Sequence, residues 1–105
     1  MKQLEIDRLK EQIEEFCQKW RIVEFSLFGS VLRDDFKDTS DIDVLVSFDD
    51  HTRWNLSDLV VMQDELSDLF GRDVDLVERT SVERSPNYIR RRHILESMEP
   101  LYVAG

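Results

Sequence analysis

Cysteine occurs once in this 105-residue chain, at Cys17, glycine three times and proline twice. A single cysteine leaves no intrachain disulfide framework and no Cys-based zinc site, so a reducing, cytoplasmic setting is expected. Basic residues are also scarce: 14 Lys and Arg against 23 Asp and Glu give a net charge of -9. Duplex phosphates are gripped by clustered Lys and Arg, so no direct nucleic-acid binding is expected. The nearest approach to a basic patch, Arg90, Arg91, Arg92 and His93, reads as a solvated helix face. No apolar run approaches the roughly 18 residues of a membrane span, and the opening MKQLEIDRLKEQIEEF is broken by charge every few residues. A soluble chain with no membrane contact and no secretion signal follows as the expectation.

What is present suits a folded domain. Hydrophobic residues make up 41% of the chain, enough for one core, and residues 1–105 read as a single domain. Ile6, Leu9, Ile13, Phe16 and Trp20 recur at three- and four-residue spacing, which predicts a helix over about 4–20. RIVEFSLFG, Arg21 to Gly29, alternates Ile22, Glu24, Ser26 against Val23, Phe25, Leu27 and reads as a first strand. Gly29-Ser30 then opens a helical turn through Val31, Leu32 and Arg33.

DIDVLVSF, Asp41 to Phe48, is the second strand. Leu56, Leu59, Val60, Gln63, Leu66 and Phe70 outline a helix closed by Gly71. RDVDLVER is the third strand, with Asp73, Asp75 and Val77 on one face and Val74 and Leu76 on the other. A C-terminal helix over about 86–98 starts at Pro86 after a Ser85 cap, and PLYVAG adds a short edge strand or frays. The order predicts an α/β (α+β) fold, a small mixed sheet flanked by helices, with its central core at about 21–78.

Asp41 and Asp43 carry the chemical question. Residues two apart in a strand share a face, with Cα atoms about 6.5 Å apart. Ionised carboxylates placed together beside a core cost several kcal/mol unless a cation or hydrogen bonds compensate. A third strand beside the second would bring another carboxylate to the pair; strand period alone leaves Asp73 and Asp75 equally eligible. Oxygen-only ligation suits Mg²⁺ or Mn²⁺, and magnesium commonly shares its ligands with substrate phosphates. Gly29 and Ser30 meet that need: glycine admits a phosphate close to the backbone, a helix start offers free N–H groups, and the serine hydroxyl adds a donor. Arg33, one turn on, can reach the same phosphates.

Two other chemistries fail. Counting an EF-hand from Asp38 places Ile42, which offers no oxygen, at the fifth, ligand position. His51 and His93 are the only histidines, and neither stands in a nucleophile context.

GSVLRDDF, then SDIDVLV, then LFGRDVDLVE, together resemble the minimal nucleotidyltransferases of the DNA polymerase β superfamily, the MNT domains paired with HEPN toxins. The likeness runs from about residue 20 to the C-terminus. It implies a polymerase β palm-like nucleotidyltransferase fold, with Gly29 and Ser30 holding the triphosphate, Arg33 contacting phosphate, and Asp41 and Asp43 ligating two Mg²⁺ ions. It also implies that Asp75, not Asp73, completes the metal site and helps to deprotonate the attacking hydroxyl.

The implied reaction is attack of a hydroxyl on the α-phosphorus of ATP, with pyrophosphate leaving. The implied acceptor is a tyrosine of a cognate HEPN ribonuclease toxin, which is silenced, so that the chain is an antitoxin acting as an enzyme. Two other functions fit the sequence less well: a non-catalytic antitoxin that neutralises by binding, for which clustered carboxylates are unnecessary, and nucleotidyl transfer to a small molecule, for which no enclosing domain is visible.

Overall fold

The structure, a computed structural model, describes residues 3–29 and 41–104. Its elements are α1 (Gln3–Trp20), β1 (Ile22–Phe28), β2 (Ile42–Phe48), α2 (Leu56–Phe70), β3 (Val74–Glu78), α3 (Arg79–Glu83), α4 (Tyr88–Ser97) and β4 (Glu99–Val103). The strands form one mixed sheet in the order β3-β2-β1-β4. β1 runs antiparallel to both β2 and β4, whereas β2 and β3 are parallel, as the intervening α2 requires.

One sheet face carries the main core. Phe25 and Leu27 of β1, Ile42, Val44 and Val46 of β2, and Val74 of β3 pack against Ile13, Phe16 and Cys17 of α1 and Met62, Leu66 and Phe70 of α2. The other face has a smaller cluster, in which Phe28 and Leu45 meet Val82 of α3 and Ile94 of α4. Alternation along β2 sorts its side chains between the two: Ile42, Val44 and Val46 go to the first face, and Asp43 and Leu45 to the second.

Several expectations shift. Arg21 belongs to no strand; it is the turn residue after α1, with a left-handed φ of 57°. The register of β1 slips between Ile22 and Glu24, and this bulge puts Ile22 in the same core as Phe25 and Leu27, whereas simple alternation groups it with Glu24 and Ser26. The third strand ends at Glu78, and the unforeseen α3 follows at once; five residues are too few to show a helical period. α4 begins at Tyr88 behind Asn87, whose side chain accepts from Arg90 N, so Asn87 takes the capping role expected of Ser85. The chain's end does add a strand, β4 on the β1 edge.

α2 ends at Gly71 in the left-handed conformation, φ 70°, as the sequence predicts. Its buried residues are Met62, Leu66 and Phe70, while Leu56 and Val60 are exposed. Gln63 has a separate task. β3 is an edge strand, and its outward N–H groups are taken by α2: Ser67 Oγ accepts from Val74 N at 3.1 Å and Gln63 Oε1 from Leu76 N at 3.1 Å. Those bonds blunt an edge that would otherwise be open to pairing.

Cys17 is wholly buried, and burial, followed by the nearby Glu14 charge, pushes its thiol up to about 12. Only the thiolate reacts, so the native protein should be inert to thiol reagents at pH 8 and react fully in denaturant. Rapid labelling of the native protein would contradict this packing. Ser26, also buried, presents a hydroxyl with no hydrogen-bond partner among the described residues. Removing an unsatisfied hydroxyl relieves its desolvation cost, so Ser26→Ala should stabilise by about 1 kcal/mol, measured by urea denaturation.

Among the described residues, no helix is long and apolar enough to cross a membrane.

Candidate functional site

The second sheet face gathers the acidic residues. Asp43 pairs with Asp75 across the parallel β2–β3 ladder and with Phe28 across the antiparallel β1–β2 ladder. Directly paired residues share a face, so Asp43 and Asp75 stand beside each other. Asp41 sits one residue before β2, solvent-exposed, so it belongs to the approach to the strand and not to the strand itself. Asp73 precedes β3, and its carbonyl accepts from Ile42 N at 2.9 Å, a ladder bond that locks the start of β2 to the start of β3.

Gly29 follows β1 with φ 76°. A Cβ built there would run into the Asp43 carboxylate, with Oδ2 as its nearest neighbour. The backbone at Gly29 therefore lies directly against Asp43, an approach that a side chain would prevent. Ser30 and Arg33, together with the expected turn through Val31 and Leu32, lie outside the described residues. Of the other aspartates near the pair in sequence, Asp49 accepts from the His51 backbone N–H at 2.8 Å and Asp50 is exposed; Asp34, Asp35 and Asp38 are outside the described residues. Both histidines are exposed.

Asp43 is electrostatically strained. Its carboxyl is held above the ordinary aspartate range, first by burial, then by the charges of Asp75 and Asp41, with Arg90 pulling the other way. A carboxylate held ionised beside other negative charges attracts a cation. All-oxygen donors suit Mg²⁺ or Mn²⁺, so Asp41, Asp43 and Asp75 fit a divalent metal in charge and donor type. Among the described residues, no three His, Cys, Asp or Glu side chains are gathered closely enough to hold an ion as they stand.

Arg90 is the cation acting on Asp43 that the sequence concealed. Within Arg90, Arg91 and Arg92 nothing distinguishes one from another until α4 is docked on the sheet. Arg91 then donates to the carbonyls of Glu83 and Ser85, Arg92 pairs with Glu96 at 2.9 Å, and the charge of Arg90 acts on Asp43. A second ion pair, Arg79 to Glu24 at 2.8 Å, ties the start of α3 to β1 on the same side of the sheet.

A mixed sheet with paired aspartates on neighbouring strands and a glycine pressed against one of them defines the class: a palm-like α/β domain built around acidic residues. The family model for the nucleotidyltransferase domain matches residues 9–98, and the chain belongs to that family. Its relatives include a protein of Methanocaldococcus jannaschii assigned as a protein adenylyltransferase, 35% identical over 79 residues that cover 75% of this chain and 83% of that protein. A solved minimal nucleotidyltransferase superposes with a TM-score of 0.73 at 27% identity, over 95% of this chain and 96% of that one. The same fold recurs in the complex of the tri-AMPylated Shewanella oneidensis HEPN toxin with its MNT antitoxin, at TM-score 0.64 and 19% identity, over 94% of this chain and 73% of that one.

Proposed function

We propose that this chain is a Mg²⁺-dependent protein adenylyltransferase, an antitoxin that transfers AMP from ATP to a tyrosine hydroxyl of a cognate HEPN ribonuclease toxin. The observation that carries this reading is the Asp43–Asp75 pairing beside Gly29, which puts two carboxylates and a close-approach backbone in one place. The adenylyltransferase assignment of the archaeal relative and the AMPylated toxin bound to a chain of this fold support it.

Asp41, Asp43 and Asp75 would hold the metal, whose contribution is to neutralise the charge that develops on the attacking and leaving oxygens. Asp75, exposed on an edge strand, is the carboxylate open to an incoming hydroxyl, whose proton it accepts. Gly29 and Ser30 would hold the triphosphate, with Arg33 as a further phosphate contact. Little covalent chemistry is asked of the protein beyond positioning and charge.

The test is to incubate the chain with Mg²⁺, its operon neighbour and each α-labelled NTP in turn. Label on a tyrosine of the neighbour, strongest with ATP and absent with chelator, is the expected result. An unlabelled neighbour under all four nucleotides would overturn the reading.

A further inference from the structure

Three arginines follow one another on α4, but packing gives them different tasks. Ile94 anchors the helix on Phe28 and Leu45, and Phe28 is the cross-strand partner of Asp43. Arg90 lies four residues before Ile94, one turn away on the same helix face, so the docking that buries Ile94 directs Arg90 toward the Asp43 side of the sheet. Arg91 is occupied at the α3–α4 junction, bonded to Glu83 O and Ser85 O and stacked over Tyr88 at 5.4 Å. Arg92 is on the outer surface with Glu96.

The charge balance gives that placement a purpose. The paired carboxylates of Asp43 and Asp75 together with a triphosphate bring more negative charge than two bound divalent ions remove, on a chain already at -9. An arginine is the side chain suited to the remainder, because its planar fork meets phosphate oxygens in pairs. Arg90 is exposed, so its guanidinium costs little to turn toward a ligand. A triphosphate carries several more negative charges than a monophosphate, so a cation facing this sheet surface favours it.

We propose that Arg90 is a nucleotide-binding residue, its guanidinium gripping the polyphosphate of the bound nucleotide and thereby selecting a nucleoside triphosphate over a monophosphate. This rests on the nucleotidyltransferase reading given above. Asp43 is the counter-charge of Arg90 while nucleotide is absent, and the polyphosphate takes that place on binding.

Calorimetric titration of the full chain with ATP and with AMP, both with Mg²⁺, tests the assignment. Arg90→Gln should weaken ATP binding about tenfold, the effect of one strong charge-assisted contact, and leave AMP binding unchanged. Arg90→Lys should recover part of the loss, and Arg92→Gln should bind both nucleotides as wild type does. Equal losses for ATP and AMP, or wild-type ATP binding by Arg90→Gln, would overturn the role of Arg90 while leaving the nucleotidyltransferase reading intact. A wild-type chain that binds neither nucleotide would overturn both.

Discussion

Asp43→Asn should melt at a higher temperature than wild type at neutral pH without metal, and transfer nucleotide at least about a hundredfold more slowly. The two effects share one cause. Burial, Asp75 and Asp41 raise the Asp43 carboxyl above its ordinary value, so the folded protein binds that proton more tightly than the unfolded chain does. The contribution to stability is fully present below the unfolded pKa near 4 and is lost as pH rises through the raised folded value. At pH 7 the ionised side chain is a net burden on the fold, and the neutral amide removes it.

The same amide takes away the charge that recommends the site to a metal and its nucleotide. Thermal melts of both proteins in chelator, at pH 4 and pH 7, check the first half: the advantage of the variant should be larger at pH 7. Radiolabel transfer checks the second. A variant less stable at both pH values would mean that Asp43 is a structural residue.

Gly29→Ala should be destabilised by about 1–2 kcal/mol from its left-handed backbone, and should lose more than about tenfold in transfer rate through displacement of Asp43. Gly71 is the natural control. Its φ of 70° is nearly the same as the 76° of Gly29, but an added Cβ meets nothing within 4 Å. Gly71→Ala should therefore bear the backbone strain and keep the activity. Denaturant titration and initial transfer rates separate the two variants. Equal activity losses at both positions would show that strain, not contact with Asp43, is the cause.

These expectations depend on features of unequal visibility in the sequence. The period of α1 and the Gly71 cap are local signals, and the structure follows them. The facing of Asp43 followed from strand period; its pairing with Asp75 needed the parallel register of β2 and β3, which period alone does not define. Local rules failed where a single residue interrupts them. The bulge after Ile22 reverses the side that Ile22 faces, and α3 is too short to have a pattern of its own. Gln63 passed for part of an apolar stripe, when it in fact satisfies a backbone donor of the edge strand. Arg90 was indistinguishable from Arg91 and Arg92 because only tertiary packing, through Ile94, orients the helix.

Catalysis and simple binding leave different marks on the partner, and that difference tests the central claim most directly. The HEPN partner would be incubated with this chain, ATP and Mg²⁺, then separated under conditions that dissociate the complex, and its ribonuclease activity measured alone. The partner should stay silent after the antitoxin has been removed, and should be active if Asp43→Asn was used in its place. Full return of ribonuclease activity after separation from the wild-type chain would show that neutralisation is by binding and would contradict the enzymatic account.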